Sequence, residues 1–144
     1  MEPQAAHLAA LTGSDEQIEA IAQAYRQMQR ATDGRADPVA ADGAFHGAII
    51  AATNNRFFQP FGSLIRTALT VTAPTTNAIF GHSVGDLAAH EKVLEALRAR
   101  APQEAREAMA VMLAEVLEAV EAWRSKPSTK FAARRRRTSK SGTS

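Results

Sequence analysis

The sequence predicts an all-α fold, an antiparallel bundle of about six helices followed by a disordered basic tail. Apolar residues make up 45% of the 144 positions but aromatic residues only 6%, and Ala is abundant where β-branched residues are sparse, a composition that favours helices over sheets. No stretch of useful length alternates with period two, as a half-buried strand must. Capping and breaker residues also cut the chain into segments of helical length. The length suits a single domain with one core.

The elements follow in order. "AAHLAAL" has helical spacing without an upstream cap and stops at Thr12-Gly13-Ser14, so residues 1–11 read as the last turns of a helix whose first part is absent. Ser14, with Asp15, Glu16 and Gln17 behind it, is a capping box, and its acids suit the positive end of the helix dipole. A second helix is therefore expected to run to Thr32, with Ile18, Ile21, Ala22, Tyr25 and Met28 as its apolar stripe. "DGRADP" carries turn chemistry, and a third helix is expected over Val39 to Thr53. Asn54 and Asn55 suit left-handed and N-cap roles in succession, opening a fourth helix that carries Phe57, Phe58, Phe61, Leu64, Ile65 and Leu69. Pro60 is tolerable within its first turns. "TAPTTNAIFGHSVGD" is poor in helix formers and predicts a loop. A fifth helix, Ser83 to Arg100, buries Leu87, Leu94 and Leu97. A sixth, opened by Pro102 and ending near Trp123, buries Met109, Met112, Leu113, Val116 and Val120.

Charge and cysteine content exclude several classes. The absence of cysteine removes disulfides, thiolate metal sites and thiol nucleophiles together. No apolar run reaches the roughly 20 residues of a membrane span, and "MEPQAAHLAA" lacks the basic start of a signal peptide. A soluble, cytoplasmic protein is expected. The isoelectric point near 9.4 invites a nucleic-acid reading until the charges are located. Seven of the 17 Lys and Arg lie after Arg124 with no acid among them, leaving ten against 15 acids and a body near −5. The basicity belongs to residues 125–144, which are too polar and charged to offset the entropy of ordering them. The run Arg134 to Arg137 could touch phosphates non-specifically, but Phe131 alone offers little stacking, and a solvated tail is the simpler reading.

One stretch departs from simple core logic. "DGAFHGAIIAATNN" places Asp42 and His46 four residues apart, hence on one helix face, in a run otherwise small and apolar. The pair forms a two-ligand clip for a metal, and a buried His neutralised by Asp is the plainer alternative. With "AAHEKVLEALRARAPQEAREAM" further on, the stretch resembles the C-terminal effector-binding domain of FadR-type GntR transcriptional regulators, over most of residues 5–123. The sugar-acid subgroup that includes the galactonate operon repressor is the likeness within it, through "PFGSLIRTALTVT" and the residue at the fourth ligand position. The resemblance places Asp42, His46 and His90 at three of the family's four metal-ligand positions. The fourth falls on Met112, a soft thioether where the family has histidine. Two readings follow: a three-ligand site for Zn²⁺, Ni²⁺ or Mn²⁺ completed by water or an effector carboxylate, or a pocket that binds its ligand without metal.

The family resemblance also implies a homodimer and a small carboxylate effector. A sugar acid suits a pocket with imidazoles better than an acyl chain does, because unpaired imidazoles against hydrocarbon are costly. Arg66 is the candidate for a carboxylate fork, Asn77 for a hydroxyl contact and His82 for the mouth of the pocket. Each has a simpler reading, respectively a solvated charge, a turn residue and a surface histidine. Regulators of this type carry a winged-helix DNA-binding domain that this sequence lacks, so it reads as a truncated regulator, residues 1–124 being the effector and dimerisation domain. DNA contact would then run only through that absent domain. Two rival functions are a metal-dependent hydrolase or lyase using Asp42, His46 and His90, and a structural bundle with no ligand. Against the first, Glu91 is turned about 100° round the helix from His90, and no nucleophile motif or paired catalytic carboxylate appears.

Overall fold

The computed structural model describes residues 1–80 and 86–126, the side chain of Phe80 excepted. Within them run α1 (Glu2–Thr12), α2 (Asp15–Thr32), α3 (Pro38–Ala52), α4 (Gln59–Phe80), α5 (Leu87–Arg98) and α6 (Pro102–Arg124), and no strand. The starts follow from local chemistry. Ser14 accepts from the Gln17 N–H while the Gln17 side chain accepts from the Ser14 N–H, the reciprocal capping box expected of α2. Asp37 caps α3 ahead of Pro38, and Asp86 caps α5 by accepting from the N–H groups of Ala88 and Ala89. Pro102 occupies the first turn of α6, where its missing N–H costs nothing.

The small side chains of α1 decide the packing. Ala5, Ala6, Ala9 and Ala10 are all buried, so α1 lies close against both α6 and α3. α3 also packs on α2 and α4, and α5 packs on α6 and α2. Phe45, Ile49, Ile21, Met28, Val93, Leu97 and Met109 are the largest fully buried side chains. Burying each contributes on the order of 1.5–3 kcal/mol.

One end of the bundle is closed by a polar network between the helix ends. Thr12 Oγ1 lies 3.2 Å from Ala52 O and 2.9 Å from Thr53 O. Asn54, at φ 49°, donates to Thr12 O at 2.8 Å and exchanges hydrogen bonds with Gln17. Arg100 reaches across to Gly13 O and, at 2.7 Å, to Asp15. Gly13 has no room for a side chain, since a Cβ there would sit 2.6 Å from Ala9 O. The other end, where α1, α3 and α5 begin, is where the polar residues of the site meet.

Besides the start of α4, which falls at Gln59 and leaves Phe57 and Phe58 in the turn before the helix expected to carry them, two expectations need correction. The loop expected over "TAPTTNAIFGHSVGD" is helix as far as Phe80, with Pro74 inside α4. Threonine hydroxyls there turn back onto carbonyls of the preceding turn, as Thr70 does to Arg66 O at 2.9 Å and Thr76 to Thr72 O at 3.2 Å. Ile65 and Leu69 pack on the core, and Ala73 and Asn77 continue the same face at four-residue steps along the cavity, a helical period that outweighs the weak propensities of Thr, Asn and Pro. The second correction is that α5 stops at Arg98, because Arg100 is left-handed at φ 54°. The start expected at Ser83 and the tail beyond residue 126 lie outside the described residues. So does His82. On α6, Met109 and Met112 are buried as expected, whereas Val116 is 37% exposed.

Candidate metal centre and ligand cavity

The i, i+4 geometry of α3 stacks Asp42 and His46 on the face that turns towards α5, and Phe45 between them is fully buried. His90, in the first turn of α5, completes the group. Asp42 Oδ1 lies 3.1 Å from His90 Nε2 and 3.5 Å from His46 Nε2. The rings of Phe45, His46 and His90 meet edge to face, with centroids 5.0–5.7 Å apart. Three donor atoms from two helices thus lie within 4.8 Å of one another.

Each imidazole is held from behind. His90 Nδ1 lies 2.6 Å from the main-chain carbonyl of Asp86, which can only accept, so Nδ1 carries a hydrogen. That leaves Nε2, the ring nitrogen facing Asp42 Oδ1, as the one placed to bind a cation. His46 Nδ1 lies 2.7 Å from Glu2 Oε2. That approach is out of line with the N–H, so it is an ion pair rather than an aligned hydrogen bond, and neither atom has another partner.

The electrostatics agree with the geometry. Burial pushes His46 towards its neutral form, but contact with Asp42 and Glu2 outweighs it and raises the pKa to about 9. Burial likewise pushes the Asp42 carboxyl up, and the hydrogen bonds and charge of His46 and His90 outweigh it, holding the group well below the ordinary carboxylate range. The cluster thus pairs an ionised carboxylate with a protonated imidazole.

These donors fit a divalent metal. Two ligands each about 2.1 Å from an ion stand about 3.0 Å apart at right angles and about 3.4 Å apart at the tetrahedral angle. Of the two carboxylate-to-imidazole distances, 3.1 Å falls inside that range and 3.5 Å just beyond it. An oxygen and two imidazole nitrogens suit Zn²⁺, Ni²⁺ or Mn²⁺.

The three residues form part of the wall of a cavity of about 800 Å³. Ile65, Leu69 and Ala73 of α4 with Leu113 and Val116 of α6 supply apolar wall, and Thr32, Thr76, Asn77 and Glu115 supply polar groups. No Lys or Arg lines it among the described residues.

The profile of the FCD domain family matches residues 1–115. The chain belongs to the FCD domain family. Among solved structures, this FCD domain is similar to Streptococcus agalactiae GntR, with a TM-score of 0.64 and 19% identity over 84% of this chain and 53% of that one. At that identity the likeness shows a shared fold, and the chain spans about half the length of that protein. No curated protein matches the sequence. The resemblance read from "DGAFHGAIIAATNN" thus holds for family and for the all-helical fold.

Of the site residues expected from sequence, the FCD domain brings Asp42, His46 and His90 together and sets Met112 in the wall of the same cavity, 4% exposed. Asn77 also lines the cavity rather than a turn, because α4 continues past it. Arg66 does not line it. It follows Ile65 by one residue, about 100° round the helix, and its exposed side chain lies across the glycine trough of α3, where a Cβ on Gly43 would stand 3.2 Å from its Cγ. The carboxylate fork expected of Arg66 is therefore withdrawn. Sequence reasoning missed Glu2 and the carbonyl of Asp86. Glu2 gives no local signal, since its partner is on another helix, and a main-chain acceptor leaves no mark in the sequence.

Proposed function

We propose that this FCD domain is the ligand-sensing module of a GntR-type transcriptional regulator, holding a divalent metal on Asp42, His46 and His90 and binding a small organic acid through that metal. The observation that carries the reading is the convergence of three donor atoms within 4.8 Å at the wall of a cavity with no Lys or Arg among its described lining. An anionic effector entering beside Glu2, Asp42, Asp86 and Glu115 meets four carboxylates against the charge of His46, so a metal that neutralises them strengthens its binding. Met112 is a poor ligand for these ions and leaves positions for water or the effector carboxylate.

A sugar acid is the effector class assigned within this reading. Thr32, Thr76 and Asn77 offer polar groups to hydroxyls, and the aliphatic side chains of α4 and α6 take the C–H face. The role is binding without turnover in a homodimeric, cytoplasmic protein, and DNA is reached through a winged-helix domain rather than through these helices.

Thermal-shift measurements of the full chain, with Zn²⁺, Ni²⁺ or Mn²⁺ crossed with sugar acids and other hydroxy acids, test the proposal. Ligand at 100 times its Kd stabilises the fold by about 2.7 kcal/mol. The metal is expected to raise the melting temperature, the acid to raise it further only when metal is present, and His46→Ala to abolish both. If no combination moves the transition, the sensing role fails. An acid that acts equally in the presence of a chelator removes the metal from the scheme.

A further inference from the structure

We propose that Glu2 is a positioning residue of the metal centre, fixing His46 as an Nε2 ligand. The inference rests on the metal reading above. Nε2 is the nitrogen of His46 that faces Asp42 Oδ1, at 3.5 Å, and it can offer a lone pair only while the hydrogen sits on Nδ1. The group against Nδ1 is Glu2 Oε2, at 2.7 Å. His90 also has an acceptor against Nδ1, the Asp86 main-chain carbonyl at 2.6 Å, there in an aligned hydrogen bond where Glu2 makes an ion pair. Both imidazoles are thus backed by an acceptor on the far side and share a front on Asp42.

The surroundings of Glu2 favour this role over a surface charge. Its side chain is 20% exposed, yet Oε2 is fully enclosed and has no aligned hydrogen-bond partner. A buried carboxylate oxygen left in that state is costly, and its one compensation is the imidazole it faces. A direct ligand role fits less well, because Glu2 approaches His46 on Nδ1, and the converging donor set is Asp42, His46 and His90. A carboxylate behind a metal-bound imidazole fixes its tautomer and raises its basicity, and losing such a partner typically weakens metal binding 10- to 100-fold. Glu2 is the first residue of α1, so the metal ligand on α3 is also tied to the first turn of a second helix.

The test compares the full-length wild-type chain with Glu2→Ala and Glu2→Gln, by Co²⁺ titration and by imidazole ¹H–¹⁵N spectra of the Zn²⁺-loaded proteins. The expected result is a loss of Co²⁺ affinity of about tenfold or more in Glu2→Ala. The His46 Nδ1–H resonance should exchange quickly with water in that variant, while the His90 resonance, backed by Asp86, stays protected as an internal control. Glu2→Gln keeps an acceptor but not the charge, so it should retain the protected resonance with a smaller loss of affinity. It carries the test if Glu2→Ala does not fold. Wild-type affinity in both variants, or an unchanged His46 resonance in Glu2→Ala, overturns the role of Glu2 and leaves the metal centre standing. A wild-type chain that binds no Co²⁺ or Zn²⁺ overturns both.

Discussion

Metal binding by this cluster should be steeply dependent on pH, because the ion and a proton compete for His46. In the metal-free protein Asp42 and Glu2 raise the His46 pKa to about 9, so at pH 7 the ring is an imidazolium and Nε2 has no lone pair to give. Binding must expel that proton. Between neutrality and pH 9 the observed affinity should therefore rise up to tenfold per pH unit, about 100-fold or about 3 kcal/mol in all, and level off above. Asp42 stays ionised throughout, its carboxyl being held low by the two histidines. The assay is isothermal titration with Ni²⁺ at pH 6, 7, 8 and 9, each in two buffers of different ionisation enthalpy. At pH 7 the buffer dependence of the heat should report at least one proton released per ion. Affinity that stays flat from pH 7 to 9, with no proton release, would refute the assignment of a charged His46 at the ion's place.

The same two groups set the stability of the metal-free chain. His46, raised above its ordinary 6.5, contributes fully below that value and loses its contribution as pH climbs through about 9. Asp42, depressed from 3.8, contributes above that value and loses its contribution as the solution becomes strongly acid. Melting followed by circular dichroism in chelator should accordingly peak between about pH 4 and 6.5, and a maximum at pH 9 would contradict the cluster's electrostatics. Gly13→Ala should cost about 1–3 kcal/mol, because the new Cβ would lie 2.6 Å from Ala9 O and 3.2 Å from Ile18 Cδ1. Denaturant unfolding at wild-type strength would show that this turn yields freely. Met112→His puts an imidazole at the fourth position and should raise Ni²⁺ affinity by about tenfold, the equivalent of about 1.4 kcal/mol. Unchanged affinity would mean that this wall does not face the ion.

How far the sequence could be read depended on whether a signal was local. The capping box at Ser14, Pro102 opening α6 and the left-handed turn at Asn54 are short-range chemistry, and the helices begin and end accordingly. The second half of α4 was illegible because Thr, Pro and Asn have low helix propensity, and the sign of helix there is sparse, a face of Ala73 and Asn77 continuing Ile65 and Leu69 along the cavity. The Asp42–His46 pair was legible from spacing on one helix. His90 was not, being 48 residues from Asp42, and only the family resemblance connected them. Arg66 was misplaced because a cation on an apolar helix reads equally well as a ligand group or as a side chain lying over glycines.

The cost of this arrangement argues against a purely structural bundle. α3 already supplies Ala41, Phe45, Ile49 and Ile50 to the core, and apolar residues at 42 and 46 would extend the same face without desolvating an ion. Instead an ionised carboxylate stands 81% buried between two imidazoles, at a desolvation cost that such contacts often fail to repay. A hydrophobic replacement of a buried charged group is frequently neutral or stabilising, so folding alone gives no reason for Asp42, His46 and His90 to converge. Nor does folding explain why both Nδ1 atoms face acceptors while both Nε2 atoms face one carboxylate oxygen. A cation at that point accounts for all of these features, beside a cavity with no Lys or Arg among its described lining.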